Sequence, residues 1–498
     1  MNYDIYIENL GAIKRSNINI TPLTILAGEN GTGKSFVTKF LYSVLSVINV
    51  DTYSNYTLEI VNKLSSTLSQ IIDFLLDSTE DNKIVRSANL EEDIIFLKRF
   101  QENIQNLAEY IKQVESDYHI FNEDFIIEFQ KEIKVYQTKV LPKLLKLMEK
   151  IDDDEKDVDS NFDLFKNAFI TFRGLRDPRR LLRNSYFTLK NLIDILEKPE
   201  YSYFKVISEH ITDELKENFQ ISDIRHLINT SENYCLFSIK DLIKVIITRD
   251  NGLTVEIDLK ENLSRFEKTK HILFFESPVY WRLLPVIDDL DNSRKFSTNQ
   301  PEILSGIPRY FYDLKKLLFT NFKEGERPSF IVNCAADLKK HLRGHFKPSD
   351  SDLTFENIDG ENIPKNLVSF GMTNIGIIQA VLSKNIIDKG SFVFIDEPES
   401  NLHPEWQSVL SEVLVKLASN QVNIIITTHS SDMMKSLEFY IKNIDSDLES
   451  FVSSNYFMSN GSLLNLDGDS PLNKLASARV ELLKAYNKAS TKRSPFSD

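Results

Sequence analysis

The chain has 498 residues, of which 42% are hydrophobic and 27% are charged, and this length is enough to bury the cores of two or three domains. A formal net charge of −14 at pH 7 argues against a broad surface that coats nucleic acid, although it leaves room for a local basic patch. No uninterrupted apolar stretch reaches the roughly 20 residues of a membrane-spanning helix, so no membrane insertion is expected.

The cysteine usage indicates a compartment. The two cysteines, Cys235 and Cys334, lie far apart in sequence and form no metal-binding or redox motif. The amino end has no recognisable secretory signal peptide. Because disulfides are rare in reducing compartments, these observations predict a cytoplasmic protein.

A glycine-rich segment near the amino end has the pattern GxxxxGK[ST] of a phosphate-binding loop. It follows the apolar run Leu23–Ala27, which has strand composition, and precedes Phe36–Tyr42, which has helical spacing. Backbone N–H groups of such a loop surround phosphate oxygens at the start of a helix, while its lysine reaches the β- and γ-phosphates and its serine ligates Mg²⁺. The sequence therefore predicts ATP or GTP binding by Gly28, Asn30, Gly31, Gly33, Lys34 and Ser35.

Two adjacent carboxylates follow another apolar run near the carboxyl end. The run Ser391–Ile395 is typical of a buried strand and leads into Asp396 and Glu397. Asp396 is suited to hold the Mg²⁺ shell through water, and Glu397 to polarise an attacking water as general base. The alternative is a pair of solvent-exposed charges at the end of a strand.

A histidine ends a third apolar run. The run Val422–Ile426 is followed by Thr427-Thr428-His429-Ser430, and a histidine at such a strand end can sense the γ-phosphate. Taken alone, His429 would more often be a hydrogen-bonded structural residue. Its spacing after Asp396 and Glu397 favours the catalytic interpretation.

A third candidate anion site lies at the start of a predicted apolar helix. Ser369-Phe370-Gly371 precedes the helical pattern of Ile375–Leu382, so a serine, a glycine and a helix N-terminus come together. A simple N-cap explains this segment equally well.

Together these motifs resemble an ABC-type ATPase, and more narrowly the SMC/RecF/OLD-like AAA ATPases of bacteria. The resemblance covers roughly residues 1–45 and 235–435, and includes Ile5–Lys14, which is similar to the family's first strand and turn. It implies an α/β fold, with an ABC-type P-loop ATPase head and an accessory antiparallel sheet. It also implies that Ser369 and Gly371 touch the γ-phosphate bound by the opposite subunit, and that Asn401, in the loop Ser400–His403, belongs to the nucleotide site. ATP would then be sandwiched in a dimer that hydrolysis separates.

The chain departs from the family pattern in two places. The signature is S-x-G rather than the LSGGQ of transporters, so its contribution is inferred from position. A Q-loop glutamine is not evident either, because His271–Pro278 occupies its place and offers Glu276 as the candidate for coupling.

The organisation of the chain is predicted in four parts. Residues 1–49 and 231–440 form the ATPase head, 50–230 an inserted helical domain, and 441–498 an extension with a mobile tail. Heptads in the insert are too irregular for a long coiled-coil rod, so a helical bundle or a short hairpin is expected. A β-hairpin is predicted around Asp250-Asn251-Gly252. From Asp432 onward, a short helix, one strand and a polar tail over Ser490–Pro495 are expected.

An arginine cluster stands out within the acidic chain. Five guanidinium groups within eleven residues suit phosphate contacts with nucleic acid, or an acidic partner, and intrachain salt bridges explain them equally well. The cluster consists of Arg173, Arg176, Arg179, Arg180 and Arg183.

The expected function is that of an ATP-driven switch with ATP and Mg²⁺ as cofactors, acting as a homodimer or higher homo-oligomer. The chain carries no recognisable nuclease, so its output would pass to a separate effector, such as a nuclease, as the resemblance to components of bacterial two-gene anti-phage systems implies. A RecF-like DNA-repair ATPase is the main alternative. Two further alternatives are the ATPase subunit of a transporter and an oligomer that ATP holds together while it is hydrolysed slowly.

Overall fold

The computed structural model describes residues 2–50, 52–81, 90–113, 123–146, 178–257, 271–284, 287, 306–320, 328–349, 352–384, 386–444, 447–465 and 470–491. The chain divides into two compact units, the first formed by Met1–Val50 with Ser208–Asp498 and the second by Asp51–Ile207. Residues 208–230 thus group with the first unit, whereas the four-part division assigned them to the insert. That division itself stays a prediction.

The strands of the first unit form three sheets. An antiparallel sheet has the order β2-β1-β4-β5-β6, a small antiparallel sheet has the order β10-β9-β8, and a parallel sheet has the order β13-β3-β12-β11-β7. In chain order, the described strands are β1 Tyr3–Leu10, β2 Ile13–Ile20, β3 Leu23–Gly28, β4 Tyr234–Ile239, β5 Ile243–Thr248, β6 Gly252–Ile257, β7 Ile272–Phe275, β8 Gly344–Ser349, β9 Asp352–Asn357, β10 Asn362–Pro364, β11 Phe392–Asp396, β12 Asn423–Thr428 and β13 Val452–Phe457.

The parallel sheet positions the candidate site. β3 and β12 are buried along their whole length, as expected of apolar strands covered on both faces. β12 pairs with β3 on one side and with β11 on the other, so that Ile426 lies opposite both Ile25 and Ile395. The carboxyl ends of these strands therefore meet at one edge of the sheet, where α/β folds commonly bind ligands.

The antiparallel sheet is the predicted accessory sheet. β5 and β6 pair in register, with Thr248 opposite Gly252, which confirms the hairpin predicted around Asp250-Asn251-Gly252. Gly252 adopts φ 72°, a left-handed conformation that glycine tolerates without strain.

The described helices of the first unit pack around these sheets, and none of the described helices of the chain is both long and apolar enough to span a bilayer. The helix Pro199–Phe219 contains the boundary between the two units. The others are Lys34–Ile48, Val279–Arg282, Arg309–Phe319, Ser329–Leu342, Phe370–Ser383, Pro404–Ser419, Ser431–Ile441, Leu448–Phe451 and Pro471–Thr491, with 3₁₀ turns at Ile224–Leu227 and Lys365–Leu367.

The carboxyl-terminal segment adds a strand and a long helix to the first unit. β13 joins the parallel sheet beside β3, with Tyr456 opposite Ala27, so the sheet extends beyond residue 440, where the prediction ended the head. A 21-residue helix, Pro471–Thr491, reaches the start of the polar tail predicted over Ser490–Pro495, and residues 492–498 lie outside the described residues. Leu475 and Ala478 of this helix are buried.

The second unit is an α-helical bundle, as the sequence predicts. Its buried apolar side chains form one continuous cluster, in which Phe100 stacks on Phe129 and Tyr136 with ring centroids 5.8 and 5.6 Å apart. The hydroxyl of Tyr136 lies 2.7 Å from that of Ser185. The elements are the helices Thr52–Asp81, Glu91–Gln113, Glu123–Val135 and Pro178–Glu197, with a π-helical turn at Tyr136–Val140.

Candidate active site

The glycine-rich loop joins β3 to the helix Lys34–Ile48, as predicted from the spacing. Gly28 adopts φ 148°, and a Cβ there would come 2.5 Å from the carbonyl oxygen of Phe457. Gly33 adopts φ 99° at the N-cap, where a Cβ would come 2.8 Å from Ile13 Cγ1. Because glycine brings no capping side chain, the first N–H groups of the helix stay open to an anion.

The side chain of Lys34 lies folded onto the loop. Its ammonium donates to the carbonyl oxygens of Gly28 at 2.9 Å and Glu29 at 2.7 Å, and the residue is only 5% exposed. Burial lowers the pKa of Lys34, while the nearby carboxylates of Glu397 and Asp396 act in the opposite direction. A buried cation whose hydrogen bonds go to two backbone carbonyls is well suited to exchange them for phosphate oxygens.

The loop and the acidic strand end meet although they are 361 residues apart in sequence. Ser35 Oγ donates to Asp396 Oδ1 at 2.9 Å, and Thr427 Oγ1 donates to the same oxygen. Burial raises the pKa of Asp396, and these two hydrogen bonds oppose that shift. The contact follows from the sheet order, because β3, β12 and β11 are adjacent and end at the same edge.

The donor set fits a magnesium ion. Ser35 and Asp396 offer hard oxygen ligands, which Mg²⁺ prefers, and Mg²⁺ is usually held by one or two carboxylates with substrate phosphates and water. Among the described residues there is no group of three or more His, Cys, Asp or Glu able to hold a metal alone. Ser35 and Asp396 are suited to an ion that also binds the phosphates of a nucleotide.

Glu397 and His429 lie together beside Asp396. His429 Nδ1 is 3.3 Å from Glu397 Oε1, and both side chains are about two-fifths exposed. The backbone of Glu397 has φ 49°, a left-handed conformation that costs energy in a residue with a side chain. The backbone N–H of Glu397 donates to the hydroxyl of Thr427 at 3.0 Å. This bond to the neighbouring strand stabilises the strained backbone of the predicted general base.

A polar pocket of about 660 Å³ opens at this edge of the sheet. Four of the predicted site residues line it, namely Asn30, Glu397, Asn401 and His429. The remaining lining residues are Glu399, Ser400, Gln407, Ser430 and Ser431.

A family model described as the AAA ATPase domain matches residues 1–434. The chain belongs to the AAA ATPase family. This agrees with the resemblance to SMC/RecF/OLD-like AAA ATPases that the motifs predict. No curated protein matches the chain.

Solved structures that match the chain include SMC heads and an ABC ATPase. An Smc head bound to the C-winged helix domain of ScpA is 9% identical, with 93% of this chain and 96% of that chain covered and a TM-score of 0.37. An Smc head with a coiled coil from Pyrococcus yayanosii is 10% identical, with coverages of 98% and 100% and a TM-score of 0.30. The ATP-binding cassette of an ABC transporter in its ADP conformation is 13% identical, with coverages of 49% and 77% and a TM-score of 0.22. All three likenesses are distant.

The signature segment of this AAA ATPase caps its own helix. Ser369 Oγ accepts from Met372 N at 3.3 Å at the start of Phe370–Ser383, as the N-cap interpretation predicts. A Cβ on Gly371 would come 2.4 Å from the carbonyl oxygen of Asn401, so the glycine allows the helix to pack against that loop. Contact of Ser369 and Gly371 with a nucleotide of the opposite subunit stays a prediction.

Glu276, the candidate at the Q-loop position, lies next to the acidic strand end. It follows β7, whose Phe275 pairs with Ile395 just before Asp396. Its carboxylate is 2.8 Å from Lys39 Nζ, accepts a hydrogen bond from the Tyr310 hydroxyl, and contributes to the raised pKa of Asp396. A carboxylate in this place keeps the edge of the sheet strongly negative.

Sequence reasoning missed Glu399, the third carboxylate of the loop. It is 6% exposed and accepts from Thr428 Oγ1 at 2.7 Å and from the backbone N–H of His429 at 2.9 Å. The available signal was a third acidic residue in one short segment after a buried strand. That signal does not reveal burial, because acidic residues in loops are mostly exposed.

Most of the arginine cluster cannot be placed. Arg173 and Arg176 lie outside the described residues. Arg179 and Arg180 begin the helix Pro178–Glu197, with side chains outside the described part, and Arg183 is exposed. The choice between nucleic-acid contact and intrachain salt bridges therefore stays open.

Proposed function

We propose that the chain binds and hydrolyses ATP as an ABC/SMC-like switch that dimerises around the nucleotide and controls a separate effector. The observation that carries the ATPase part is the 2.9 Å hydrogen bond from Ser35 Oγ to Asp396 Oδ1, which joins the phosphate-binding loop to the acidic strand end. Family membership supports the same activity. The reaction would convert ATP and water to ADP and phosphate, slowly and under the control of assembly.

The phosphate-binding loop supplies binding. Open N–H groups at the start of Lys34–Ile48 receive phosphate oxygens, together with the dipole of the helix. Lys34 exchanges the carbonyls of Gly28 and Glu29 for phosphate oxygens. Mg²⁺, held by Ser35 and Asp396, would neutralise negative charge on the phosphates.

Glu397 and His429 supply the chemistry. The Glu397 carboxylate takes the proton of the attacking water, and its strained backbone holds it at the edge of the pocket. His429, whose Nδ1 is 3.3 Å from that carboxylate, would place its other ring nitrogen beside the water that attacks the terminal phosphate. Asn401 lines the same pocket, and Ser369 and Gly371 of a second copy would complete the site, which is supported by the opening of this polar pocket.

Replacing Glu397 tests the proposal. Glutamine keeps the size of the side chain but cannot accept a proton, so Glu397→Gln should lower the single-turnover rate of ATP hydrolysis by about 10²–10⁴-fold. Nucleotide affinity should stay unchanged, because Glu397 is not a phosphate ligand. Glu405→Gln, an exposed carboxylate of the next helix, is the matched control. Unchanged turnover in Glu397→Gln would remove Glu397 from this role.

The downstream role needs its own test. We propose an effector such as a nuclease, in a two-gene anti-phage system, because the family resemblance implies it and the sequence has no recognisable nuclease. Co-expression with the product of the adjacent gene should give a complex whose stability differs between ATP and ADP. An adjacent recombination gene, and no such complex, would count against the proposal.

A RecF-like ATPase acting directly on DNA is the second candidate, and the arginine cluster supports it. Tight DNA binding by the purified chain alone, falling steeply with salt, would favour it. Charge reversal at Arg179 and Arg180 should then weaken binding. Unchanged DNA, RNA and partner binding with lowered stability would instead assign these arginines to intrachain salt bridges.

A further inference from the structure

We propose that Glu399 is a positioning residue for ATP hydrolysis, which fixes the orientation and the protonated nitrogen of His429. This inference rests on the proposed function and names a residue that the motifs left without a role. Three observations carry it: the hydrogen bonds at the end of β12, the two carboxylates that face one nitrogen of His429, and an oxygen of Glu399 that has no hydrogen-bond partner in the described part of the chain.

The first observation is that Glu399 holds the strand end from which His429 projects. One carboxylate oxygen, Oε1, accepts from the Thr428 hydroxyl at 2.7 Å and from the His429 N–H at 2.9 Å. The side chain is 6% exposed, so these bonds are shielded from water. Hydrogen bonds to a buried charged acceptor are stronger than neutral ones. Glu399 therefore restricts the backbone at the base of the imidazole.

The second observation concerns the ring. His429 Nδ1 is 3.5 Å from Glu399 Oε1 and 3.3 Å from Glu397 Oε1. A nitrogen lone pair facing two carboxylates would be repelled by both, whereas an N–H is attracted. In a histidine, a partner at one ring nitrogen decides which nitrogen carries the proton. Nδ1 is thus the protonated nitrogen of the neutral ring, and Nε2 is left as an acceptor for a donor such as the attacking water.

The third observation distinguishes Glu399 from a carboxylate that only caps a strand. Its second oxygen, Oε2, is buried without a hydrogen-bond partner among the described residues, and the residue lines the polar pocket. An unpaired buried carboxylate oxygen costs free energy, which a purely structural residue would not need to retain. We assign it to a donor that arrives with the substrate, such as a water molecule.

The test is Glu399→Gln. Glutamine preserves a carbonyl oxygen for Thr428 and the His429 N–H but removes the negative charge that faces Nδ1. We expect kcat to fall by about 10–100-fold, as for other residues that orient a functional histidine, with KM changed little. Glu405→Gln, the exposed control, should keep the kcat of the unmodified chain. An unchanged kcat in Glu399→Gln would overturn the inference.

A double variant separates positioning from a structural role. If Glu399 acts through His429, then Glu399→Gln should cost little in a chain that already carries His429→Ala. If the fold-losses in kcat of the two single variants multiply in the double variant, the inference is overturned. If His429→Ala alone leaves turnover unchanged, the proposed role of His429 fails instead, and so does this inference.

A readout that needs no turnover keeps the inference testable if the purified chain is inactive. In ¹⁵N-histidine NMR spectra, with His429 assigned from its loss in His429→Ala, the neutral ring should carry its proton on Nδ1. Glu399→Gln should shift the tautomer population toward Nε2. A His429 that is protonated on Nε2, or insensitive to Glu399→Gln, would refute the inference even if the chain hydrolyses ATP.

Discussion

At the scale of single residues, the candidate site concentrates negative charges that repel one another. Asp396, Glu397, Glu399 and Glu276 converge on one edge of the parallel sheet, and Lys34 and Lys39 are the nearby cations. Burial raises the pKa of Asp396, and the charge of Glu276 adds to that shift. A substrate that brings Mg²⁺ would relieve this repulsion, which links nucleotide binding to the electrostatics of the site.

Glu276 should influence the pH dependence of turnover. Burial first, and then the charge of Glu276, raise the pKa of Asp396, which must be ionised to hold Mg²⁺. Glu276→Gln removes one raising contribution, so the acidic limb of the kcat/KM profile should move to lower pH. Glu405→Gln should leave the profile in place. A limb that moves to higher pH, or not at all, would contradict this coupling.

At the scale of elements, helices near the nucleotide site are joined by a buried polar cluster. Arg309 Nε is 2.9 Å from Glu214 on the helix Pro199–Phe219, and the Tyr42 hydroxyl donates to Asp313 at 3.0 Å. The backbone N–H of Tyr310 donates to Asn218 Oδ1 at 3.0 Å. The helix Arg309–Phe319 thus contacts both the helix that follows the phosphate-binding loop and the helix that leads from the insert.

The buried cluster should make stability fall with rising pH. Burial raises the pKa of Glu214 from 4.5 to about 8, so the folded state holds this proton more tightly than the unfolded state. The resulting stability is complete below about pH 4.5 and is lost as pH rises to about 8. Glu214→Gln should therefore flatten the pH dependence of the unfolding free energy by about 1 kcal/mol per pH unit in this window.

Tryptophan fluorescence is a suitable measurement for this prediction. Both tryptophans of the chain, Trp281 and Trp406, lie in the first unit, which contains Glu214, so denaturation followed by fluorescence reports on that unit. Exposed Glu405→Gln should retain the slope of the unmodified chain. Equal slopes in Glu214→Gln and the unmodified chain would show that Glu214 is ionised when folded.

At the scale of the whole molecule, the proposal requires a second copy. Glu397→Gln should bind ATP without hydrolysing it, so light scattering should detect a doubling of mass with ATP and Mg²⁺ but not with ADP. Adding Ser369→Arg should abolish that doubling, because a bulky side chain would stand where the opposite nucleotide is expected. The control Ser450→Arg, at an exposed serine of the same unit, should leave the doubling unchanged. A Ser369→Arg chain that still dimerises with ATP would contradict the sandwich arrangement.

The strand ends and their motifs could be predicted because each is a local pattern. In each case an apolar run predicts a strand, and the residues directly after it are the functional group at the strand end. These groups are Gly28–Ser35, Asp396-Glu397 and His429. The family resemblance supplied the expectation that these ends meet. The helical insert was equally readable, because its apolar periodicity repeats over many turns.

The tertiary structure alone decided the roles that depend on burial and on distant neighbours. Glu399 follows Glu397 by two residues in the sequence. Only the pairing of β12 with β11 buries it and brings Thr428 and His429 to its oxygen. β13 joins the parallel sheet through pairing with β3, more than 400 residues earlier in the chain. Local sequence determined which groups end each strand, whereas strand order determined which of them meet, because pairing between remote segments is a property of the folded sheet.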